Sequence, residues 1–307
     1  MPQYTIGVDV GGTNIKFGLI SPSGNIIART RLSTKRFARN KNSLIGAIID
    51  TIRNFIKDNR LSRKDIKGIG FGFPGLVDPF KGVIFLLPNI PGWKNVPLKK
   101  ILERKIKIPV FLENDVNMIA LGEWYKGAGC GSKNLLCITL GTGVGGGLIL
   151  NNRLYRGEGF AAGEIGHMPL NEKGPLCNCG GVACFERYVG NGILLKQAVK
   201  IFKDKAITLE KIYAMANRKD KKAIRFFEDM ATHIGNGLVG VVNLLNPSLI
   251  IIGGGVANNY KFLHKTIERV VRKRAMPVQG SMVKIVQAKL GDDAGILGAK
   301  MLVDYAK

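Results

Sequence analysis

The chain carries one short pattern twice: an apolar strand, a glycine turn with a threonine in it, and a second apolar strand. Residues 4–10 alternate and are rich in β-formers, Gly11-Gly12 interrupts them, and residues 15–20 resume. The second copy runs from a strand at 135–140 through Gly141-Thr142-Gly143-Val144-Gly145-Gly146-Gly147 to an apolar 148–150. Asp9-Val10-Gly11-Gly12-Thr13 is thus echoed by Leu140-Gly141-Thr142-Gly143. Strands in runs followed by helices, in two similar halves, define an α/β class. A ligand with phosphates fits between two such turns.

The remaining elements follow from periodicity. A third strand covers 26–32, and helical spacing over 42–58 places Leu44, Ile45, Ile48, Ile49, Ile52, Phe55 and Ile56 on one face. A strand at 66–73 ends in Pro74-Gly75, and 76–97 reads as a long Pro/Gly-rich loop. Then come a helix at 97–105, a strand at 109–112 and a helix at 115–125. Residues 157–184 form a glycine- and cysteine-bearing loop, and 186–245 is helical. A strand at 249–252 meets Gly253-Gly254-Gly255; a helix (258–274), a strand (282–287) and a last helix (293–305) follow.

A length of 307 residues suits two domains, and 46% hydrophobic residues is a globular composition. No apolar run spans a bilayer, and the N-terminus has no signal-peptide pattern, so a cytoplasmic protein without membrane contact is expected. The net charge is +24, but the Lys and Arg residues fall in many short patches without interleaved aromatics. They read as solvated helix faces whose field favours anionic phosphates, and nucleic-acid binding is not expected.

Gly141-x-Gly143-x-x-Gly146 matches the dinucleotide fingerprint in letters, but a strand follows it where that fingerprint opens a helix. A P-loop ending is absent as well, which disfavours both nucleotide folds. A hairpin turn of glycines still presents N–H groups to a phosphate. Asp9 stands directly before such a turn, either as an exposed hairpin residue or as a carboxylate that holds hydrated Mg²⁺. Glu113-Asn114-Asp115 lies between a buried strand and a helix. Asp115 is there either an N-cap or a base that takes a hydroxyl proton, and Asn114 suits a sugar hydroxyl.

Three of the five cysteines, Cys177, Cys179 and Cys184, stand within eight residues, ten positions after His167. Soft thiolates with one imidazole suit a structural tetrahedral zinc; packed core cysteines or a disulfide remnant are the alternatives, and the odd cysteine count argues against disulfides. Glu164 and Glu186 bracket the cluster, where a pinned loop would let them read hydroxyls. Cys130 and Cys137 are expected in the core.

Together the motifs resemble the ROK family of sugar kinases and sugar-responsive repressors. The matching pieces are Asp9-x-Gly11-Gly12-Thr13, Gly72-Phe73-Pro74-Gly75-Leu76-Val77-Asp78, Leu87-Pro88-Asn89-x-Pro91-Gly92-Trp93 and Glu113-Asn114-Asp115. Further on stand Gly141-Thr142-Gly143-x-Gly145-Gly146-Gly147, Glu164-x-Gly166-His167, the Cys177-to-Glu186 signature, Gly253-Gly254-Gly255 and Asp293-Ala294-Gly295-x-x-Gly298-Ala299. The resemblance implies an actin-like (ribonuclease H-like) two-domain ATPase fold with ATP and sugar in an interdomain cleft. The expected division is a small domain over 1–114, completed by a C-terminal helix at about 293–307, and a large domain over 115–292 carrying the zinc loop. By the same resemblance Asp115 is the catalytic base, and Asn114, Gly75, Glu164, His167 and Glu186 contact sugar. Gly11, Gly12 and Thr13 with Gly141, Thr142 and Gly143 hold ATP phosphates, assisted by Asp9 and Mg²⁺. Gly253, Gly254 and Gly255 face adenosine, while His167, Cys177, Cys179 and Cys184 hold structural zinc. One departure is Ala183, where the family usually has glycine; a methyl is tolerated there unless the backbone needs positive φ.

The expected reaction is ATP-dependent phosphorylation of a hexose at the 6-hydroxyl, glucose first, by a homodimer or homotetramer. The alternatives are an N-acetylglucosamine or N-acetylmannosamine kinase and, in another class, a sugar-sensing repressor. Family repressors carry a DNA-binding helix-turn-helix before the first glycine motif, and Asp9 leaves little room for one.

Overall fold

The computed structural model describes residues 3–37, 40–87 and 92–305, so four residues of the Leu87-to-Trp93 motif, Pro88 to Pro91, lie outside it. The chain forms two compact units. The first comprises Met1–Gly131, Leu154–Ala162 and Leu290–Lys307; the second comprises Ser132–Arg153 and Gly163–Lys289.

The first unit is built on a five-stranded sheet of order β3-β2-β1-β4-β8. Its strands are β1 (Tyr4–Val10), β2 (Asn14–Ile20), β3 (Ile26–Ser33), β4 (Ile66–Phe73) and, after the short strands described below, β8 (Val110–Asn114). β1 to β3 are antiparallel neighbours, whereas β4 and β8 run parallel to β1. The region read as a loop at 76–97 instead contains a small antiparallel sheet of β5 (Val77–Asp78), β6 (Val83–Leu86) and β7 (Lys94–Val96). Trp93 anchors it by packing its ring 5.9 Å from Phe73.

Period-two alternation gives the main sheet two unlike faces. Ile6, Val8 and Val10 of β1 and Ile69, Phe71 and Phe73 of β4 share one core with the apolar stripe of the helix Lys41–Asp58. The other face carries Gly7 of β1, beside Thr5 and Asp9, and Gly68, Gly70 and Gly72 of β4. A methyl at Gly70 would stand 2.7 Å from Ala299 Cβ, and one at Gly72 would stand 3.3 Å from Asp115 Cα. The glycine face therefore admits two helices, Asp115–Lys126 and Ala294–Tyr305, at backbone range. Those helices touch each other in the same way, through Gly122 against the Ala294 carbonyl and Gly298 against the Met118 carbonyl.

This packing sets the domain boundary. The expected division at 114/115 falls instead after Gly131, because the helix that begins at Asp115 belongs to the first unit through these glycine contacts. The segment Leu154–Ala162 also joins the first unit.

A second five-stranded sheet repeats the order as β11-β10-β9-β12-β13 and belongs to the second unit except for Leu154 and Tyr155 of β11. The strands are β9 (Leu135–Leu140), β10 (Val144–Leu150), β11 (Arg153–Tyr155), β12 (Leu249–Gly253) and β13 (Lys284–Gln287). β9 and β10 form the second antiparallel hairpin, and β12 is parallel to both β9 and β13. The long helix Lys221–Leu245, capped by Asp220 Oδ1 accepting the Ala223 N–H, packs on the helix Tyr260–Arg274. A short helix, Pro277–Met282, precedes β13 and was not foreseen from periodicity, being only six residues long. Cys137 lies in the core as expected, whereas Cys130 is exposed; its thiol donates to the Tyr125 carbonyl just beyond the end of its helix. Among the described residues no helix is long and apolar enough to cross a membrane.

An alanine at Gly298 should lower the unfolding free energy by about 1–3 kcal/mol, because overpacking against the Met118 carbonyl outweighs the gain of about 1 kcal/mol in helix propensity. An alanine at Gly46, whose added methyl meets nothing within 4 Å, should instead stabilise the protein by about 0.5–1 kcal/mol. Denaturant unfolding of the two variants reads the opposite signs.

Candidate active site

Each unit carries half of the sequence-predicted site. In the first, the β1–β2 turn is closed by the Gly11 N–H donating to the Asn14 carbonyl at 3.0 Å. It is pinned from outside by Thr34, whose hydroxyl donates to the Gly11 carbonyl and whose N–H donates to the Thr13 carbonyl. Gly12 and Thr13 are exposed, and nothing lies within 4 Å of where a methyl at Gly12 would stand. The turn therefore offers its backbone to a ligand. Asp9 is half-buried beside it. Burial raises its carboxyl above the usual range; Lys16 opposes that shift and Asp292 reinforces it. A methyl at Gly295 would stand 3.3 Å from Asp9 Cγ, so that glycine lets the last helix start against the carboxylate.

Asn114 and Asp115 stand where β8 passes into the helix Asp115–Lys126. The N-cap is Asn114, whose Oδ1 accepts the N–H groups of Val116 and Asn117 at 2.9 and 3.1 Å. Its Nδ2 donates to the carbonyl of Gly75, which sits at φ 93° in the turn after β4. Asp115 is thus not the cap but the first helical residue, with Oδ1 accepting its neighbour's N–H at 2.9 Å. Asn114, expected to meet sugar, has its amide already engaged in the cap and with Gly75.

In the second unit, the β9–β10 turn is closed by the Gly141 N–H donating to the Gly143 carbonyl at 2.9 Å. Asn191 donates its N–H to the Gly141 carbonyl from the start of the next helix. A methyl at Gly143 would stand 2.8 Å from Glu186 Oε2, so the turn and this carboxylate are neighbours. Gly253 ends β12, Gly254 turns at φ 86° hard against the backbone of Leu140, and Gly255 opens a short 3-10 turn. The third glycine motif is therefore packed beside the strand that feeds the second.

Glu164 and His167 lie on a loop laid over β10, where Gly163 and Gly166 pack against the backbone of Gly146 and Val144. The ligand atoms of His167, Cys177, Cys179 and Cys184 all lie within 4.8 Å of one another. Cys179 and Cys184 have their Sγ atoms 3.6 Å apart, and Cys177 Sγ is 3.8 Å from His167 Nδ1. A disulfide needs about 2.05 Å, whereas a tetrahedral ion with bonds of about 2.3 Å sets its sulfurs about 3.8 Å apart. The donor set and its spacing fit a zinc-type ion. Burial, then hydrogen bonds and charges from Cys179 and Cys177, push the Cys184 thiol up to about 12, while the Gly181 N–H draws the Cys179 thiol down. Cys177 Sγ is also 3.5 Å from Glu186 Oε1, which ties the cluster to the carboxylate beside Gly143. With Nδ1 turned towards the sulfurs, His167 keeps Nε2 on the side of Glu164, whose Oε2 is 3.9 Å away. Phe185 fixes the loop by packing its ring on Gly237 of the long helix.

Ala183 sits at φ 56° in this loop and is fully buried. The tolerance expected of a methyl here had excluded that case, so the alanine carries left-handed strain of about 1 kcal/mol or more.

Glu113 has no role in the sequence motifs beyond its place before Asn114, and Arg156 belongs to none of them. The two form an ion pair at 2.6 Å, with Glu113 buried and Arg156 partly exposed. Their separation of 43 residues leaves no local signal that could have found it.

Residues 5–306 match the ROK family. The chain belongs to the ROK family. It is 36% identical to a glucokinase of Halalkalibacterium halodurans over 98% of this chain and 95% of that protein. It is 32% identical to the xylose repressor of Bacillus spizizenii over 98% of this chain and 77% of that protein. Among solved structures, a ROK family glucokinase from Streptomyces griseus in complex with glucose and AMPPNP superimposes with a TM-score of 0.79 at 31% identity, covering 97% of this chain and 98% of that one.

An Ala183→Gly change should alter stability by less than about 1 kcal/mol, since relief of strain offsets the lost methyl and the freer unfolded chain. Ala183→Val, with a branched side chain in the left-handed region, should cost more than about 2 kcal/mol. Thermal unfolding of both variants measures the difference.

Proposed function

We propose that this protein transfers the γ-phosphoryl group of ATP to the 6-hydroxyl of a hexose, glucose first. The observation that carries the reading is Glu186, which stands between the Gly141–Gly143 turn and the His/Cys cluster. Phosphate-type and hydroxyl-type binding groups are therefore adjacent within one unit. The glucokinase relatives and the glucose–AMPPNP complex of the Streptomyces griseus protein support the same chemistry.

Glu164, Glu186 and His167 Nε2 accept or donate to sugar hydroxyls, and Gly75 and Asn114 line the sugar beside Asp115. Asp115 takes the proton of the attacking hydroxyl. The exposed N–H groups around Gly11 to Thr13 and Gly141 to Gly143 hold the phosphates, and Gly253 to Gly255 border the adenosine. Asp9 would hold hydrated Mg²⁺, which would neutralise charge on the phosphates. His167, Cys177, Cys179 and Cys184 would hold zinc, which would fix the orientation of the sugar-binding loop. Since phosphoryl transfer needs little covalent help, positioning supplies most of the rate.

N-acetylglucosamine and N-acetylmannosamine would meet the same carboxylates. A coupled assay across glucose, mannose, fructose and the two N-acetyl sugars should give the highest kcat/KM with glucose; a maximum on an N-acetyl sugar moves the assignment to that substrate. The xylose repressor relative favours a second reading as a sugar-responsive repressor. No phosphorylation of any sugar, with sequence-selective DNA binding, would establish it in place of the kinase.

Asp115→Ala should lower kcat by about 10²–10⁴-fold or more while sugar binding survives, read by steady-state kinetics and by calorimetry. Cys179→Ser should release one equivalent of zinc per chain and raise the sugar KM more than the ATP KM. Metal analysis beside kinetics checks both; full zinc loss with unaltered sugar KM would remove the zinc from the binding site.

A further inference from the structure

We propose that Arg156 is a positioning residue for Asp115, acting through the buried carboxylate of Glu113. This rests on the reading of Asp115 as the base. Glu113 is the penultimate residue of β8, and its side chain is only 3% exposed. Each of its oxygens is committed. Oε1 accepts the Asn114 backbone N–H and the Asn117 Nδ2, both at 3.0 Å. Oε2 accepts Arg156 Nε at 2.6 Å. The first two donors flank Asp115 in the chain: one residue before it and two after it. A turn of the Glu113 carboxylate therefore moves both sides of the base at once.

A carboxylate this deeply buried keeps its charge only with a cation beside it. The chain supplies that cation from the segment Leu154–Ala162, which packs with the first unit although the residues on either side of it belong to the second. The segment is built to hold the guanidinium in place. The Ala162 N–H donates to the Arg156 carbonyl, closing a compact loop. The guanidinium carbon lies 5.9 Å from the centre of the Phe80 ring, and Phe80 packs in turn on Phe160 at 5.7 Å. Asp78 Oδ1 accepts the N–H groups of Phe80 and Lys81, which fixes the turn that carries Phe80. Without Arg156, Oε2 of Glu113 loses its partner and the carboxylate turns towards water. The acceptor for Asn114 and Asn117 then moves, and Asp115 shifts with them.

Displacing a reacting group by about 1 Å costs on the order of 100-fold in rate. Arg156→Gln should accordingly lower kcat by about 10- to 100-fold while the KM values for ATP and sugar stay within about twofold. Arg156→Lys keeps the charge but loses the planar Nε donor, and should fall between Arg156→Gln and the parent chain. Should Arg156→Gln fail to fold, the Arg156→Lys kinetics alone decide. A kcat within twofold of the parent in every folded variant overturns the proposal. So does a fall in kcat accompanied by parallel rises in both KM values, which marks general loosening. Asp115→Asn, measured alongside, tests the underlying reading separately: parent-like turnover there removes Asp115 as the base whatever Arg156 does.

Discussion

The contact on which the first unit depends is backbone against backbone. Gly7 of β1 and Gly68, Gly70 and Gly72 of β4 open a patch on one face of the sheet, and two helices settle onto it. One of them begins with Asp115, the other begins beside Asp9. Close packing here does more than fill space. The helices meet each other main chain to main chain through Gly122 and Gly298, while Gly72 and Gly295 leave room beside them for Asp115 and Asp9. The opposite face of the same sheet carries ordinary large apolar residues and could tolerate volume-conserving exchange.

A second constraint acts in the other unit. His167, Cys177, Cys179 and Cys184 converge with the spacing of a tetrahedral site, although Glu186 and Glu164 are 22 positions apart in the chain. The loop between them takes its order from Phe185 on the long helix, from the β10 contacts of Gly163 and Gly166, and from the cysteine cluster itself. Strain enters at Ala183, where the loop demands a left-handed residue and the chain places a methyl. The surrounding contacts over-determine that conformation, as strained positions require.

Much of this was legible locally. The two hairpins, the apolar stripe of the helix Lys41–Asp58 and the four residues of the His/Cys cluster each follow from periodicity or spacing over a few residues. The small sheet of β5 to β7 was not legible, because strands of two to four residues are too short to show a period. Nor was the place of the helix Asp115–Lys126. Its own sequence says that it is a helix, but its membership of the first unit lies in glycines that reach it from β4 and from the end of the chain.

What the sequence alone determined is therefore the list of chemical groups and the short-range elements that carry them: glycine turns, a carboxylate at a strand end, three thiols and an imidazole. These depend on residue type and on neighbours within a turn or two. Only the tertiary structure decided that Asn114, not Asp115, caps the helix; that Glu186 borders the turn at Gly143; and that Glu113 finds its counter-charge in Arg156. The reason is physical. Burial makes an unpaired charge or an unfilled hydrogen bond costly, and the partner that relieves the cost is chosen by proximity in space, to which distance along the chain is no guide.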